Sequence, residues 1–173
     1  MLLSIFLGVF LLILAISLAI SYYSFFIGAP YVFTPKKAIR EMFELAQIKL
    51  GQKLYDLGAG DGRAMIIAKS EFGASTEGFE LSPIVYLIGR LNLLFHRAKG
   101  AKLYFKNFYN QDLSEANVIF CFLSPHAMER LKPKFEKELK PGTKIISYSF
   151  SLHGWQPKEV IEGYPGKMFL YEI

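Results

Sequence analysis

The fold is decided by the stretch Tyr55-Asp56-Leu57-Gly58-Ala59-Gly60-Asp61-Gly62-Arg63. The residues up to Leu57 predict a short strand, and an apolar helical pattern through Met65, Ile66 and Ala68 follows the glycines. In an open parallel sheet, the turn after a strand faces the ligand crevice at the carboxyl ends of the strands. Glycines let the backbone turn tightly and approach a ligand closely. We therefore expect a ligand-binding turn between the first strand of a sheet and its helix.

Strand-like and helix-like segments alternate along the chain around this turn. Strands are predicted at 53–57, 77–80, 103–106, 117–123, 143–150 and 167–173, the last at a sheet edge. Helices are predicted at about 35–47, from the turn to about 73, at 83–99 and at 125–139. Thr34 is suited to cap the first of these helices, with Pro35 at its first position. The alternation predicts an α/β fold, a doubly wound, mostly parallel sheet with helices on both faces and right-handed crossovers.

The spacing of the glycines narrows the class of ligand. They fall at 58, 60 and 62, which differs from the G-x-G-x-x-G of dinucleotide-binding loops, and the Gly-Lys-Ser/Thr of a phosphate-binding P-loop is absent. Asp56, just before the loop, would repel a pyrophosphate but could receive the ammonium group of an amino-acid ligand. Glu80 ends the second predicted strand, where a carboxylate either binds both ribose hydroxyls or is simply solvated. The pattern favours a cationic ligand that contains a nucleoside.

The first part of the chain differs from the rest in charge and hydropathy. Residues 1–35 contain no Lys, Arg, Asp or Glu, and the first twenty are almost all apolar, about the number needed to cross a bilayer. Tyrosines at 22 and 23 suit the far interface, and Lys36, Lys37 and Arg40 predict a cytoplasmic domain by the positive-inside rule. We expect a transmembrane anchor at 1–27 in contact with the lipid bilayer and a domain at 28–173. A cleaved signal peptide is the alternative, but it would need a basic start and a shorter apolar core.

The composition of the remaining chain limits the kinds of partner that it can bind. The net charge of +5 is compatible with contact to anionic lipid or with an ordinary solvated surface. No Arg-rich or aromatic-interleaved patch indicates nucleic acid, so no nucleic-acid partner is expected. No metal site is expected either. A single cysteine, Cys121, cannot form an intrachain disulfide, and its place in an apolar strand indicates an inert core residue.

Asp56-x-Gly58-x-Gly60-x-Gly62 resembles motif I of the class I S-adenosylmethionine-dependent methyltransferases, which have a Rossmann-like sheet. Nearly the whole chain resembles a narrower group, the small membrane-anchored protein-lysine methyltransferases related to those of ATP synthase subunit c and the adenine nucleotide translocase. The matching segments are the apolar start, P-Y-V-F-T-P, Y-D-L-G-A-G-D-G-R, G-F-E-L-S-P, D-L-S-E-A-N-V, L-K-P-G-T and a closing G-W.

The resemblance implies S-adenosyl-L-methionine as cofactor and assigns residues to parts of it. The loop, with Gly58, Ala59, Gly60 and Gly62, would follow the cofactor, and Glu80 would bind its ribose. Leu81 would flank the adenine, and Asn107, where many members carry Asp, would reach the adenine amino group. Phe108 would offer the base an apolar face, although a core position suits it equally. Tyr31, Val32 and Thr34 would close over the methionine end.

The predicted activity is methyl transfer to a lysine of a membrane protein. The alternatives are transfer to a small lipophilic acceptor, such as a quinone precursor or a phospholipid amine, and a non-catalytic binding module on the same fold. The acceptor would approach over the ends of the fourth and fifth strands, where the Asn/Asp-Pro-Pro-Tyr of nucleobase and glutamine methyltransferases is absent. No catalytic base is assigned; His126, Tyr148, Ser149 and His153 are weak candidates.

Overall fold

The computed structural model describes residues 2–27, 32–162 and 166–173, with side chains described only to residue 23 in the first helix. Across these residues the chain forms five α-helices, one short 3₁₀ helix at Phe108–Asn110 and seven strands. The helices are α1 (Leu2–Ile27), α2 (Lys36–Leu45), α3 (Arg63–Phe72), α4 (Pro83–Phe95) and α5 (Pro125–Glu138). The strands are β1 (Lys53–Leu57), β2 (Ser75–Glu80), β3 (Lys102–Phe105), β4 (Val118–Cys121), β5 (Lys144–Tyr148), β6 (Glu159–Ile161) and β7 (Met168–Glu172).

The strands form one mixed sheet in the order β3-β2-β1-β4-β5-β7-β6. The first five in this order pair in parallel, and β7 pairs antiparallel with both β5 and β6. One hydrophobic cluster joins α2 and α3 to the sheet, and a second joins α5 to it, so helices cover both faces. The predicted doubly wound α/β fold is confirmed. Because strand order reverses between β1 and β4, the crevice at their carboxyl ends is the expected ligand site.

The far edge of the sheet differs from the prediction. The last strand was expected at an edge, but β7 lies between β5 and β6, and β6 forms the edge. The sequence pattern missed β6 because Glu159–Ile161 has only three residues and alternates too briefly to be recognised. The helix expected at 83–99 ends at Phe95, with His96 at its C-cap and Arg97 in the left-handed region at φ 50°.

The start of α2 also corrects a prediction. Thr34 does not cap the helix, because Pro35 is itself the N-cap residue and no side chain bonds to the first turn. The Pro35 carbonyl accepts a hydrogen bond from the Ile39 N–H at 3.1 Å, and the Thr34 side chain is buried. The threonine therefore belongs to a packed contact with the neighbouring loop.

The N-terminal helix α1 is the one helix in the described residues that is long and apolar enough to cross a membrane, over Leu2–Tyr23. A signal sequence would meet the same criterion. The apolar stretch is exposed along its length, and its far end reaches the rest of the protein. There, the hydroxyls of Ser21 and Ser82 form a hydrogen bond of 2.8 Å. The end of α1 therefore lies against the first residues of α4.

Candidate functional site

The loop between β1 and α3 curls against the carboxyl end of β2. The backbone N–H groups of Gly58 and Ala59 both donate to the Phe79 carbonyl, each at 3.0 Å. All three glycines of the loop are left-handed, with φ of 78° at Gly58, 58° at Gly60 and 75° at Gly62. A side chain other than glycine would strain such a backbone, so the glycine spacing sets the shape of the loop.

Glu80 holds the loop from the end of β2. One carboxylate oxygen accepts from the Gly60 N–H at 3.0 Å and the other from the Ser82 N–H at 2.7 Å. Burial raises the pKa of Glu80, and the hydrogen bonds from Ser82, Gly60 and Leu81 oppose that rise. A carboxylate has about four lone-pair sites, so Glu80 can still accept a hydrogen bond beside these three donors.

Asp56 is a buried acid without a compensating partner. It is 2% exposed, and no hydrogen-bond donor contacts its carboxylate within the described part of the chain. Burial raises its pKa well above the ordinary value, and the nearby charges of Glu80 and Asp61 raise it further. An uncompensated buried carboxylate is costly. The position is therefore suited to a group that carries positive charge.

Arg63 links the loop to the segment that precedes α2. Its guanidinium forms a bidentate ion pair with Asp61, with contacts of 2.7 and 2.9 Å. It also donates to the Thr34 carbonyl at 3.2 Å and lies 4.2 Å from the centre of the Phe33 ring. The sequence pattern gave Arg63 no role of its own. Nothing in the sequence indicated this link, because Arg63 and Thr34 lie far apart along the chain.

Gly89 brings α4 unusually close to the same loop. A Cβ placed on Gly89 would lie 2.7 Å from the Gly60 carbonyl oxygen and 2.7 Å from the Leu103 side chain. The Asn92 side chain, one turn further along α4, donates to the Asp61 carbonyl at 3.0 Å. Sequence analysis missed both residues, although a glycine inside an apolar helix is a recognised sign of close packing.

The other expected site residues lie around the ends of β2 and β3. Leu81 is half-buried in the turn after Glu80. The Asn107 side-chain oxygen Oδ1 accepts from the Tyr109 N–H at 3.0 Å and so caps the 3₁₀ helix. Phe108 is buried in the cluster beneath α5, with its ring centre 4.5 Å from that of Tyr109. Tyr31 lies outside the described residues.

The chain was compared with known families and structures. The family model described as "ANTKMT methyltransferase domain" matches residues 56–159. A protein-lysine N-methyltransferase of Saccharolobus islandicus is 41% identical over 150 residues, which are 83% of this chain and 93% of that protein. The adenine nucleotide translocase lysine N-methyltransferase of Mus musculus is 27% identical over 145 residues, covering 83% of this chain and 63% of the mouse protein.

This chain belongs to the ANTKMT methyltransferase domain family. It is an S-adenosylmethionine-dependent methyltransferase, as its sequence motifs predicted. Among solved structures, an RNA methyltransferase from Salinibacter ruber in complex with S-adenosyl-L-homocysteine is similar, with a TM-score of 0.79 and 31% identity. That match covers 82% of this chain and 94% of the Salinibacter chain. The predicted cofactor, S-adenosyl-L-methionine, is thereby confirmed.

The methyltransferase has a second set of side chains at the ends of β4 and β5. The Phe122 ring meets that of Tyr148 edge-on at 5.0 Å and stacks with that of Phe150 at 6.4 Å. Ser149, between the last two, has a left-handed backbone with φ 70°, which is uncommon for a residue with a Cβ. A pocket of about 550 Å³ opens here, lined by Pro125, Glu129, Ser149, Phe150, Ser151, His153 and Phe169.

The four weak catalytic candidates have different surroundings in the structure. His153 lines the pocket, and His126 is exposed in the first turn of α5. Tyr148 is buried, and burial raises its pKa. Cys121 is buried as expected, with its Sγ 3.7 Å from the Met128 sulfur, and burial raises its pKa to about 12. A thiol of that kind does not act as a nucleophile near neutral pH.

Proposed function

We propose that this methyltransferase transfers a methyl group from S-adenosylmethionine to a lysine of a membrane-associated protein. The observation that carries the lysine assignment is the 41% identity with a protein-lysine N-methyltransferase over 83% of this chain. The chain spans less than two thirds of the mouse translocase lysine methyltransferase. The substrate of that enzyme therefore indicates only a class of substrate, a membrane protein, for this chain.

Residues at the ends of β1 and β2 fit the cofactor chemically. S-adenosylmethionine is an amino acid joined through a sulfonium to a nucleoside, and it supplies an activated methyl group when bound. The carboxylate of Asp56, which has no hydrogen-bond partner among the described residues, suits its positive charge. The acceptor capacity left on Glu80 suits its ribose. The backbone of the loop at Gly58, Ala59, Gly60 and Gly62 would line its path.

The remaining contacts are proposed around these. Leu81 and Phe108 would flank the adenine, and the Asn107 side chain would bind its amino group through a lone pair not used in capping. Thr34, tied to the loop through Arg63, would border the methionine end. The role of Tyr31 at that end stays a prediction.

The lysine would enter over the aromatic rings at the ends of β4 and β5. A lysine amine has a pKa of about 10.4 in water, and only its neutral form has a lone pair to attack the methyl group. Apolar surroundings disfavour the charged form and so lower that pKa. Phe122 and Phe150 would supply such surroundings, and alignment with the cofactor would supply much of the rate.

The membrane part of the proposal assigns 1–27 as an anchor and 28–173 as the methyltransferase domain. The contact between Ser21 and Ser82 supports it, because it brings the end of α1 beside the turn that follows Glu80. The basic residues Lys36, Lys37 and Arg40 follow the apolar stretch, which favours a domain on the cytoplasmic side.

The test is a transfer assay that uses the full chain and methyl-labelled S-adenosylmethionine. Membranes from cells that lack the protein are incubated with it and divided into protein, extracted lipid and RNA. Label in the protein fraction supports the proposal. Label in the lipid fraction would favour the small lipophilic acceptor instead. Label in RNA would extend to this chain the substrate named for the Salinibacter structure.

A further inference from the structure

Helix α4 has an apolar face that nothing in the described residues covers. Its exposed side chains are Ile84, Leu87, Ile88, Leu91, Leu94 and Phe95. At 3.6 residues per turn these six fall within an arc of about 120° on the helix surface. Leu94 and Phe95 are 72% and 76% exposed. Contiguous apolar surface of this kind marks an interaction site.

The opposite face of the same helix packs against the cofactor loop. Gly89 and Leu93 are buried there, and Gly89 abuts the Gly60 carbonyl. The exposed stripe is therefore not needed for the fold of the domain. Because α4 touches the loop directly, whatever covers the stripe lies only one helix diameter, about 10 Å, from the cofactor site.

The segment of the chain that contains the stripe carries charge of one sign. From Leu81 to Gln111 the sequence contains no Asp or Glu and five basic residues: Arg90, Arg97, Lys99, Lys102 and Lys106. This one segment carries as many positive charges as the net charge of the whole chain, +5. Apolar side chains flanked by Lys and Arg are typical of helices that lie in the surface of an anionic membrane.

The stripe begins where α1 ends. The hydrogen bond between Ser21 and Ser82 joins the last turns of the apolar stretch Leu2–Tyr23 to the residue that precedes α4. Tyrosines at 22 and 23 suit the interface between lipid and water. If α1 spans the bilayer, α4 therefore starts at the depth at which α1 leaves it.

We infer that α4 lies in the membrane surface, with its stripe among the lipids and its basic neighbours at anionic headgroups. This second contact would fix the angle of the domain and hold the cofactor loop beside the bilayer, within reach of a lysine close to the membrane surface. The inference rests on the proposed anchor. A second copy of the chain or a substrate protein on the stripe would be a different outcome, which the experiment separates.

The experiment measures contact with lipid at single positions of the full chain. Three variants with one added cysteine each, Leu91→Cys on the stripe, Leu12→Cys in α1 and Leu50→Cys as the matched control, are labelled with an environment-sensitive fluorophore. Leu50 is also an exposed leucine, at 85%, but it lies in the turn before β1 and away from α4. The buried Cys121 thiol, with a pKa of about 12, should escape labelling. Vesicles of phosphatidylcholine and phosphatidylglycerol carry a quencher on their acyl chains.

The expected result is loss of emission at position 91 comparable with that at position 12, and no loss at position 50. Quenching at 12 without quenching at 91 would overturn the inference and leave the anchor intact. A blue-shifted but unquenched probe at 91 would also overturn it, because the stripe would then be covered by protein. No quenching at position 12 would overturn the anchor and the inference together.

A second experiment measures activity in a variant of the stripe. Leu91→Glu would place a charge in the apolar stripe, and Leu50→Glu is its control. We expect Leu91→Glu to retain its affinity for S-adenosylmethionine but to lose methyl transfer to membrane protein severalfold, while Leu50→Glu retains both. Equal transfer by the two variants would contradict the inference.

Discussion

The ends of β1 and β2 and the ends of β4 and β5 are built in different ways. At the first pair, backbone hydrogen bonds hold a glycine loop against Glu80, and Asp56 is buried with no hydrogen-bond partner in the part of the chain that the structure describes. At the second pair, aromatic rings pack around a strained Ser149 beside an open pocket. The first arrangement suits one fixed ligand, the cofactor. The second is open to solvent and suits an acceptor that enters and leaves.

The largest effect is expected in the glycine loop. Gly60→Val should abolish detectable binding of S-adenosylmethionine, because valine is strained at φ 58° and its side chain would fill the path of the ligand. Calorimetry on the full chain measures this. Gly100→Val is the matched control, since Gly100 is also left-handed, at φ 86°, but faces open space. Equal affinities of the two variants would remove the loop from the cofactor site.

Glu80→Ala should weaken cofactor binding next most strongly. It removes the proposed ribose acceptor and also frees the Gly60 and Ser82 N–H groups. Groups left unpaired cost about 1–3 kcal/mol, which corresponds to a roughly 5- to 150-fold loss of affinity. Glu77→Ala, on the same strand but paired with Lys53 at the other end, should change the affinity little. Normal affinity in Glu80→Ala would contradict the assignment.

Asp56→Asn should change folding stability and cofactor affinity in opposite directions. The folded state raises the pKa of Asp56, so its stabilising contribution is full below the ordinary value of 3.8 and is lost as pH rises through the raised value. The variant should therefore be more stable than the parent near neutral pH. It should also bind S-adenosylmethionine about tenfold more weakly, because the ligand loses a charge partner.

Denaturant unfolding across pH and calorimetry in buffers of different ionisation enthalpy check both effects. The parent should release protons on binding and bind more tightly as pH rises through the raised pKa of Asp56, and the variant should do neither. Asp112→Asn is the control with the opposite sign, because the Ser114 N–H lowers the pKa of Asp112. A parent that binds the cofactor with no pH dependence would argue against Asp56 as its charge partner.

The smallest effect on cofactor binding is expected at the acceptor end. Phe150→Ala should leave the affinity for S-adenosylmethionine unchanged and raise the KM for the acceptor several-fold, because apolar surroundings for the amine are lost. Steady-state kinetics with a methyl-accepting membrane fraction separates the two effects. Leu50→Ala, exposed at the other end of the sheet, serves as control. A fall in cofactor affinity without a change in KM would reverse the roles given to the two ends.

The proposed cofactor end could be described from the sequence in most of its parts, because its chemistry is local. Glycines, Asp56 and Glu80 stand at fixed spacings beside strands whose order follows from α/β alternation. Arg63, Gly89 and Asn92 were missed because their contacts join segments that are distant along the chain. The edge position of β6 was missed for a related reason, since a strand of three residues is defined by its neighbour β7 and hardly by its own pattern.

The acceptor end could not be predicted to the same depth. Tyr148 was only a weak catalytic candidate, and Phe122 and Phe150 fell inside predicted strands. Only the pairing of β4 with β5 brings the three rings together. The exposed stripe of α4 was hidden in a similar way. An apolar helix sequence predicts burial on one face, and only the structure distinguishes the face that packs on the loop from the face that does not.

The most direct test of the account is mass spectrometry of membrane proteins from cells that produce the full chain or its Glu80→Ala variant. The account predicts methylated lysine at the membrane-proximal part of one or a few proteins with the parent chain, and its loss or strong reduction with the variant. Lysine methylation that is the same in both, or methyl groups found only on lipid or RNA with the parent, would contradict it.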